Sequence, residues 1–174
     1  MTKPLKNKVA IITGGGRGLG KAMAVGLAKA GASGICITGS SSVDQLKQVE
    51  REIRSLGTRT KVLPVVADVT SPDACLKAVN QACRALGPVD ILINNAGKGQ
   101  NFVADDHVPF WQAKLSGWKE IIETNVNGPF FMTRAVVKLM ITAGWGRIIN
   151  ISKSRDSMHR PKNSPYGASK AALE

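Results

Sequence analysis

Short apolar runs alternate with helical stripes along this chain. Val9-Ala10-Ile11-Ile12 is followed by a glycine cluster and a helical pattern over residues 21–30. Gly34-Ile35-Cys36-Ile37-Thr38 is a second apolar run, closed by Gly39-Ser40-Ser41-Ser42. Residues 43–56 carry Val43, Leu46, Val49, Ile53 and Leu56 on one stripe, the period of an amphipathic helix that Gly57 ends. Residues 62–67 predict a third strand, with Pro64 suggesting an edge or an early position. A helix over 72–86 follows, with Thr70 or Ser71 as its cap and Pro72 near its first position. Gly87-Pro88 breaks it, and residues 90–93 predict a fourth strand.

The polar stretch 98–109 reads as a loop in which His107 is a surface residue. Phe110, Trp111 and Trp118 look like packing anchors around a helix start near Ser116. Residues 117–142 read as one helix with Asn125 inside it, and Gly128-Pro129 is consistent with a kink. Gly144 and Gly146 end it. Residues 147–151 predict a fifth strand, apolar without alternation, as a strand covered on both faces should be. A last helix begins near Tyr166, with Ser164 as cap and Pro165 in its first turn. Strands alternating with helices at this rhythm predict an α/β fold with a doubly wound parallel sheet, a Rossmann fold. By length, residues 1–174 form a single domain of this kind.

Composition adds little to that frame and excludes some functions. A hydrophobic content of 43% supports a core. No apolar stretch is long enough to span a membrane, and the apolar run at Val9 is too short for a signal peptide. Cys36, Cys75 and Cys83 cannot all pair and lack metal-ligand spacing. They read as buried, reduced thiols in a cytoplasmic protein, and no metal site is expected. The net charge of +12 invites a nucleic-acid reading. Its lysines and arginines are dispersed, however, without a nucleic-acid motif. They read as a solvated surface with a bias toward anionic cofactors or substrates.

The glycine cluster carries chemistry. Thr13-Gly14-Gly15-Gly16-Arg17-Gly18-Leu19-Gly20 lies between a strand and a helix. A turn of this kind aims a helix N-terminus, with its unpaired N–H groups and positive dipole end, at phosphate. Dinucleotide folds that bind NAD place an acid after the second strand, to hold the ribose hydroxyls. Here Ser40 and Ser41 occupy that place, and Asp44 falls in the next helix. The serines leave room for a 2′-phosphate and Arg17 can supply its counter-charge, which favours NADP, with NAD the runner-up.

Three more signatures follow in order: Asn94-Asn95-Ala96-Gly97 closing the fourth strand, Asn125-Val126-Asn127-Gly128, and Tyr166-Gly167-Ala168-Ser169-Lys170. Tyr166 and Lys170 are one helical turn apart and share a face. Free tyrosine ionises near pH 10, and a neighbouring ammonium favours the phenolate. Taken together, T-G-x-x-x-G-x-G, N-N-A-G, N-V-x-G and Y-x-x-x-K resemble the short-chain dehydrogenase/reductase family, including its 3-oxoacyl-[acyl-carrier-protein] reductase-like members. The match covers essentially the whole chain.

The resemblance implies an oxidoreductase that moves hydride between NADP(H) and a ketone or secondary alcohol, a 3-oxoacyl thioester among the candidates. Tyr166 would exchange the proton on oxygen. Lys170 would tune Tyr166 and, with it, hold the nicotinamide ribose. Asn125 would kink its helix and hold a water in the proton relay. Gly14, Arg17, Gly18, Leu19 and Gly20 would bind the pyrophosphate side, with Ser40 and Ser41 beside them. Asp68 and Val69 would contact adenine, although Asp68 also suits loop ordering. Asn95, Ala96 and Gly97 would let backbone approach the ribose, and Asn94 would satisfy backbone groups between neighbouring strands.

The chain departs from the family pattern twice. Relatives place a substrate-binding serine thirteen positions before the tyrosine, where Lys153 stands here. Ser152 and Ser154 flank it, and Ser154 is the first choice as replacement. Alternatively Lys153 itself donates to the substrate oxygen, or the site is impaired. The second departure is that relatives continue past Glu174 through a sixth strand, a substrate-covering segment and a seventh strand. The chain thus reads as truncated after the fifth strand and the start of the following helix, leaving a bare edge on that strand. The alternative to an active enzyme is a catalytically impaired dinucleotide-binding remnant. Expected partners are a small carbonyl or alcohol substrate and, at full length, further copies of the chain, with neither nucleic acid nor membrane.

Overall fold

The structure is a computed structural model that describes residues 3–100, 109–159 and 164–174. Among them are strands β1 (Val9–Ile12), β2 (Gly34–Gly39), β3 (Lys61–Val66), β4 (Ile91–Asn94) and β5 (Arg147–Asn150). All pair in parallel, in the order β3-β2-β1-β4-β5. Helices α1 (Gly18–Lys29), α2 (Val43–Ser55) and α3 (Pro72–Leu86) follow the first three strands. After β4 come α4 (Leu115–Ile122), a π-helical turn (Glu123–Asn127) and α5 (Gly128–Thr142), and after β5 the short α6 (Arg155–Met158) and α7 (Tyr166–Ala171).

Alternation along each strand builds two cores, one on each face of the sheet. Ala10, Ile12, Ile35, Ile37, Ile91 and Ile93 pack with Ala24 and Ala28 of α1 and Leu46, Val49 and Ile53 of α2. Val9, Ile11, Cys36 and Leu92 pack on the opposite face with Cys75, Val79 and Ala82 of α3 and Met132, Val136 and Met140 of α5. β1 and β4 are buried along their whole length because helices cover both faces. Sequence order reverses direction between β1 and β4. The loops at the carboxyl ends of the strands open there into one crevice, the usual ligand position in such sheets.

Several boundaries shift from expectation. α1 begins at Gly18, so the last glycines of the turn are its first turn. α2 is capped by Ser42, whose hydroxyl accepts from the Gln45 N–H, and its stripe ends, Val43 and Leu56, are exposed. Ser71, rather than Thr70, caps α3. Pro64 lies on the edge strand β3, where a missing N–H costs no ladder bond. The helix expected over 117–142 starts at Leu115 and is interrupted at Asn125 by the π-helical turn.

β5 lies at the other edge, and Ile148 and Ile149 are exposed rather than covered on both faces. Trp111 and Trp118 are exposed and do not anchor a core. Cys36 and Cys75 are buried thiols, but Cys83 is only half-buried. α7 has Pro165 at its N-cap and no side-chain cap, so Ser164 does not play that part; its carbonyl instead accepts from Gln100 Nε2. His107 lies outside the described residues.

Candidate active site

The crevice at the carboxyl ends of β1–β4 encloses about 1000 Å³. Gly14, Arg17, Gly18, Leu19 and Gly20 border it from the first turn, Ser40 and Ser41 from the end of β2, Asp68 and Val69 after β3, and Asn95, Ala96 and Gly97 after β4. Twelve positions from four loops thus meet on one surface, because parallel strands deliver all their carboxyl ends to the same side.

The first turn has the backbone that its glycines allow. Gly14 and Gly18 have φ of +64° and +52°, the left-handed region. A Cβ on Gly20 would sit 2.2 Å from the Gly14 carbonyl oxygen, so α1 starts as close to β1 as backbone permits. No side chain caps α1 and no acid lies in its first turn. The N–H groups of Gly18, Leu19 and Gly20 therefore have no intrahelical acceptor and meet no negative side chain there.

The exit of β4 is fastened to this turn by Thr13. Its hydroxyl accepts from the N–H groups of Asn95 and Ala96, both at 3.0 Å. Asn95 Nδ2 returns bonds to the carbonyls of Thr13 (2.9 Å) and Gly14 (3.1 Å). Asn95 is thus a brace for the glycine turn as well as a crevice residue. Asn94 does not serve backbone groups between strands as expected: its Nδ2 donates to Asn150 Oδ1 on β5 at 2.9 Å and to Thr133 Oγ1 on α5. Asp68 orders its own loop, one carboxylate oxygen accepting from the N–H and the hydroxyl of Thr70.

At the Gly97 end the crevice meets Asn125 and Lys170. A Cβ on Gly97 would lie 3.3 Å from Asn125 Oδ1 and 3.6 Å from Lys170 Nζ. Asn125 is fully buried in the π-helical turn. Its Oδ1 accepts from the Lys98 N–H at 2.8 Å, and its Nδ2 donates to the Lys98 carbonyl and to Ser169 Oγ, both at 3.0 Å. Ser169 in turn donates to the Tyr166 carbonyl at 2.7 Å, so the turn carrying Asn125 is tied to the helix carrying Tyr166 and Lys170. Lys170 is buried and donates to the Ile151 carbonyl at 2.7 Å. Burial pushes its ammonium below the usual lysine range. Its Nζ stands 5.9 Å from the centre of the Tyr166 ring.

A family model described as short chain dehydrogenase matches residues 8–174. The chain belongs to the short-chain dehydrogenase family. It is 34% identical over 165 residues to gluconate 5-dehydrogenase of Gluconobacter oxydans, covering 95% of this chain and 60% of that protein. It is 35% identical over 176 residues to human dehydrogenase/reductase SDR family member 1, covering 100% of this chain and 55% of the relative. A metagenomic short-chain oxidoreductase solved in complex with NADP superposes with a TM-score of 0.84 at 33% identity, over 98% of this chain and 72% of that one. NAD+-bound xylitol dehydrogenase gives 0.87 at 31% identity, over 97% and 62%. The chain spans about half to three-fifths of the curated relatives it matches.

Just before α6, both serines that flank Lys153 are engaged. Ser152 Oγ donates to the Lys170 carbonyl at 3.1 Å, and Ser154 Oγ lies 2.8 Å from Ser157 Oγ. Between them, Lys153 sets its Nζ 5.0 Å from the centre of the Tyr166 ring. Sequence reasoning missed two members of this cluster. Ser169 had a signal, because a hydroxyl three residues after Tyr166 on a helix reaches the Tyr166 carbonyl. Gln100, whose Oε1 accepts from the Tyr166 N–H at 3.3 Å, had none, because that bond spans 66 positions of sequence.

Proposed function

We propose that this chain carries the cofactor site and proton relay of an NADP-dependent oxidoreductase acting on a ketone or secondary alcohol. The observation that carries this reading is the meeting of Asn125 and Lys170 at Gly97, at one end of a crevice whose other parts suit a dinucleotide.

The residues present fit the cofactor. The uncapped start of α1 offers N–H donors to a pyrophosphate, and a Cβ on Gly18 would meet nothing within 4 Å, so the space before the turn is open. Ser40, Ser41 and the exposed Arg17 would take a 2′-phosphate. Asp68 and Val69 would flank adenine. Asn95, Ala96 and Gly97 would line the ribose, and Tyr166 and Lys170 would hold its hydroxyls. When bound, the nicotinamide supplies or accepts hydride at its ring carbon C4.

The protein's own part is proton handling. Tyr166 Oη would give its proton to the substrate oxygen in reduction and take it back in oxidation. Lys170 would place positive charge beside the phenolate, against the desolvation that burial imposes on its ammonium. Asn125 would join the relay from the π-helical turn. Ser154, or Ser152, would hydrogen-bond the substrate oxygen once freed from its present partner. A binding protein without turnover is the second reading, favoured by the engagement of both serine hydroxyls elsewhere. Exposed Leu115, Trp118 and Phe130 on α4 and α5 would be the face through which copies associate.

Titration with NADPH and NADH, followed by nucleotide fluorescence, tests the cofactor half; tighter NADPH binding is expected. Tyr166→Phe should abolish turnover on a carbonyl panel while leaving NADPH binding intact. Unchanged turnover in that variant would sink the relay assignment.

A further inference from the structure

Lys153 is half-buried beside the Tyr166 ring, where the family pattern has a neutral hydroxyl. Among the described residues it makes no ion pair and no hydrogen bond. Three other charges of the site have partners, and Asp156, in the first turn of α6, is in no ion pair among the described residues. Lys170 Nζ donates to the Ile151 carbonyl. Glu174 lies 3.6 Å from Arg155 Nε and within 3.5 Å of Ser152 Oγ. Lys98 pairs with Glu120 at 2.5 Å.

The aromatic face offers Lys153 only a weak cation–π contact at this distance. That leaves its ammonium donors for another acceptor beside the Tyr166 ring. A serine there would offer one neutral O–H donor. An ammonium has three donors and a full charge, and its strongest complement is a carboxylate. An ammonium can bridge the reacting oxygen and a carboxylate oxygen when the two groups are adjacent in one small molecule.

We propose that Lys153 binds the carboxylate of an oxo-acid substrate, or of the corresponding hydroxy acid, and so selects that class over neutral ketones. This rests on the reading of Tyr166 as the proton donor, and it names the substrate class for the same site.

The chain has one tyrosine, so ring labelling of tyrosine reports Tyr166 alone. The test titrates the labelled full chain with 2-oxobutyrate and, separately, with 2-butanone, following the ring resonances by NMR. Saturable shifts are expected with the acid and not with the ketone. Lys153→Met should weaken the acid about tenfold or more, as loss of a charge-assisted bond would, and Lys153→Arg should retain it. If circular dichroism shows Lys153→Met unfolded, Lys153→Gln takes its place. Equal response to both probes, no response to either, or full response in the neutral variant overturns the proposal. The titration needs neither cofactor nor turnover. A chain that binds 2-oxobutyrate through Lys153 but fails to bind NADPH would overturn the oxidoreductase reading and leave the carboxylate site standing.

Discussion

Asn125 Nδ2 donates to Ser169 Oγ at 3.0 Å across 44 positions of sequence, and this bond joins the π-helical turn to the residue before Lys170. Through Lys98, the same side chain also holds the loop leaving β4. One buried amide therefore sets the relative positions of Gly97, Tyr166 and Lys170.

Asn125→Ala should cost about 2 kcal/mol or more, because it strands buried partners on two elements. Urea unfolding would measure the loss. Turnover should fall further than stability alone explains. Activity near wild type in a folded variant would show that Asn125 positions nothing that the reaction uses.

Two glycines of the first turn should respond differently. A Cβ on Gly20 would collide with the Gly14 carbonyl, so Gly20→Ala should both destabilise the fold and remove NADPH binding. Gly18 has open space around it and only its φ of +52° to lose, so Gly18→Ala should cost about 1–2 kcal/mol. Its methyl would still enter the crevice and weaken NADPH. Thermal melts beside nucleotide titrations separate the two effects.

The buried Lys170 ammonium gives stability a sign at alkaline pH. Burial lowers its folded value below the ordinary 10.5, so below the folded value both states hold the proton and the desolvation cost is fully present. Between the folded value and 10.5 the unfolded chain keeps a proton that the folded chain sheds, and stability rises with pH. The unfolding free energy of wild type minus that of Lys170→Met should therefore rise as pH approaches 10.5. A difference flat over that window contradicts the assignment.

The cysteines should label in a fixed order. Burial, with Cys83 adding to it, pushes the Cys36 thiol up to about 12. Burial, with Asp68 adding to it, pushes Cys75 up to about 11. Thiolate is the reactive form. In the folded chain iodoacetamide should modify half-buried Cys83 first and reach Cys36 and Cys75 only on unfolding. Mass spectrometry of timed samples reads the order.

The strand–helix rhythm, the parallel sheet, the glycine turn and the one-turn spacing of Tyr166 and Lys170 are all legible along the chain. Each of these is a local periodicity or a short motif, set by residues that are neighbours along the chain. Pro64 suggested an edge or an early position, and the sheet places β3 at an edge, paired with β2 on one side.

Other features were decided only by tertiary structure. The π-helical turn at Asn125 follows from bonds that reach Lys98 and Ser169. The exposure of β5 depends on what packs against it, which an apolar run of four residues does not encode. Ser154 was the first choice over Ser152 in sequence, yet both hydroxyls are engaged, Ser152 with the Lys170 carbonyl and Ser154 with Ser157. Lys153 is one more basic residue in a chain of net charge +12, and only the packing of α7 against the end of β5 brings it to the Tyr166 ring. The reason is common to all of them. A side chain's partners across the fold are fixed by where distant segments dock, and that is a property of the packed sheet rather than of any window of sequence.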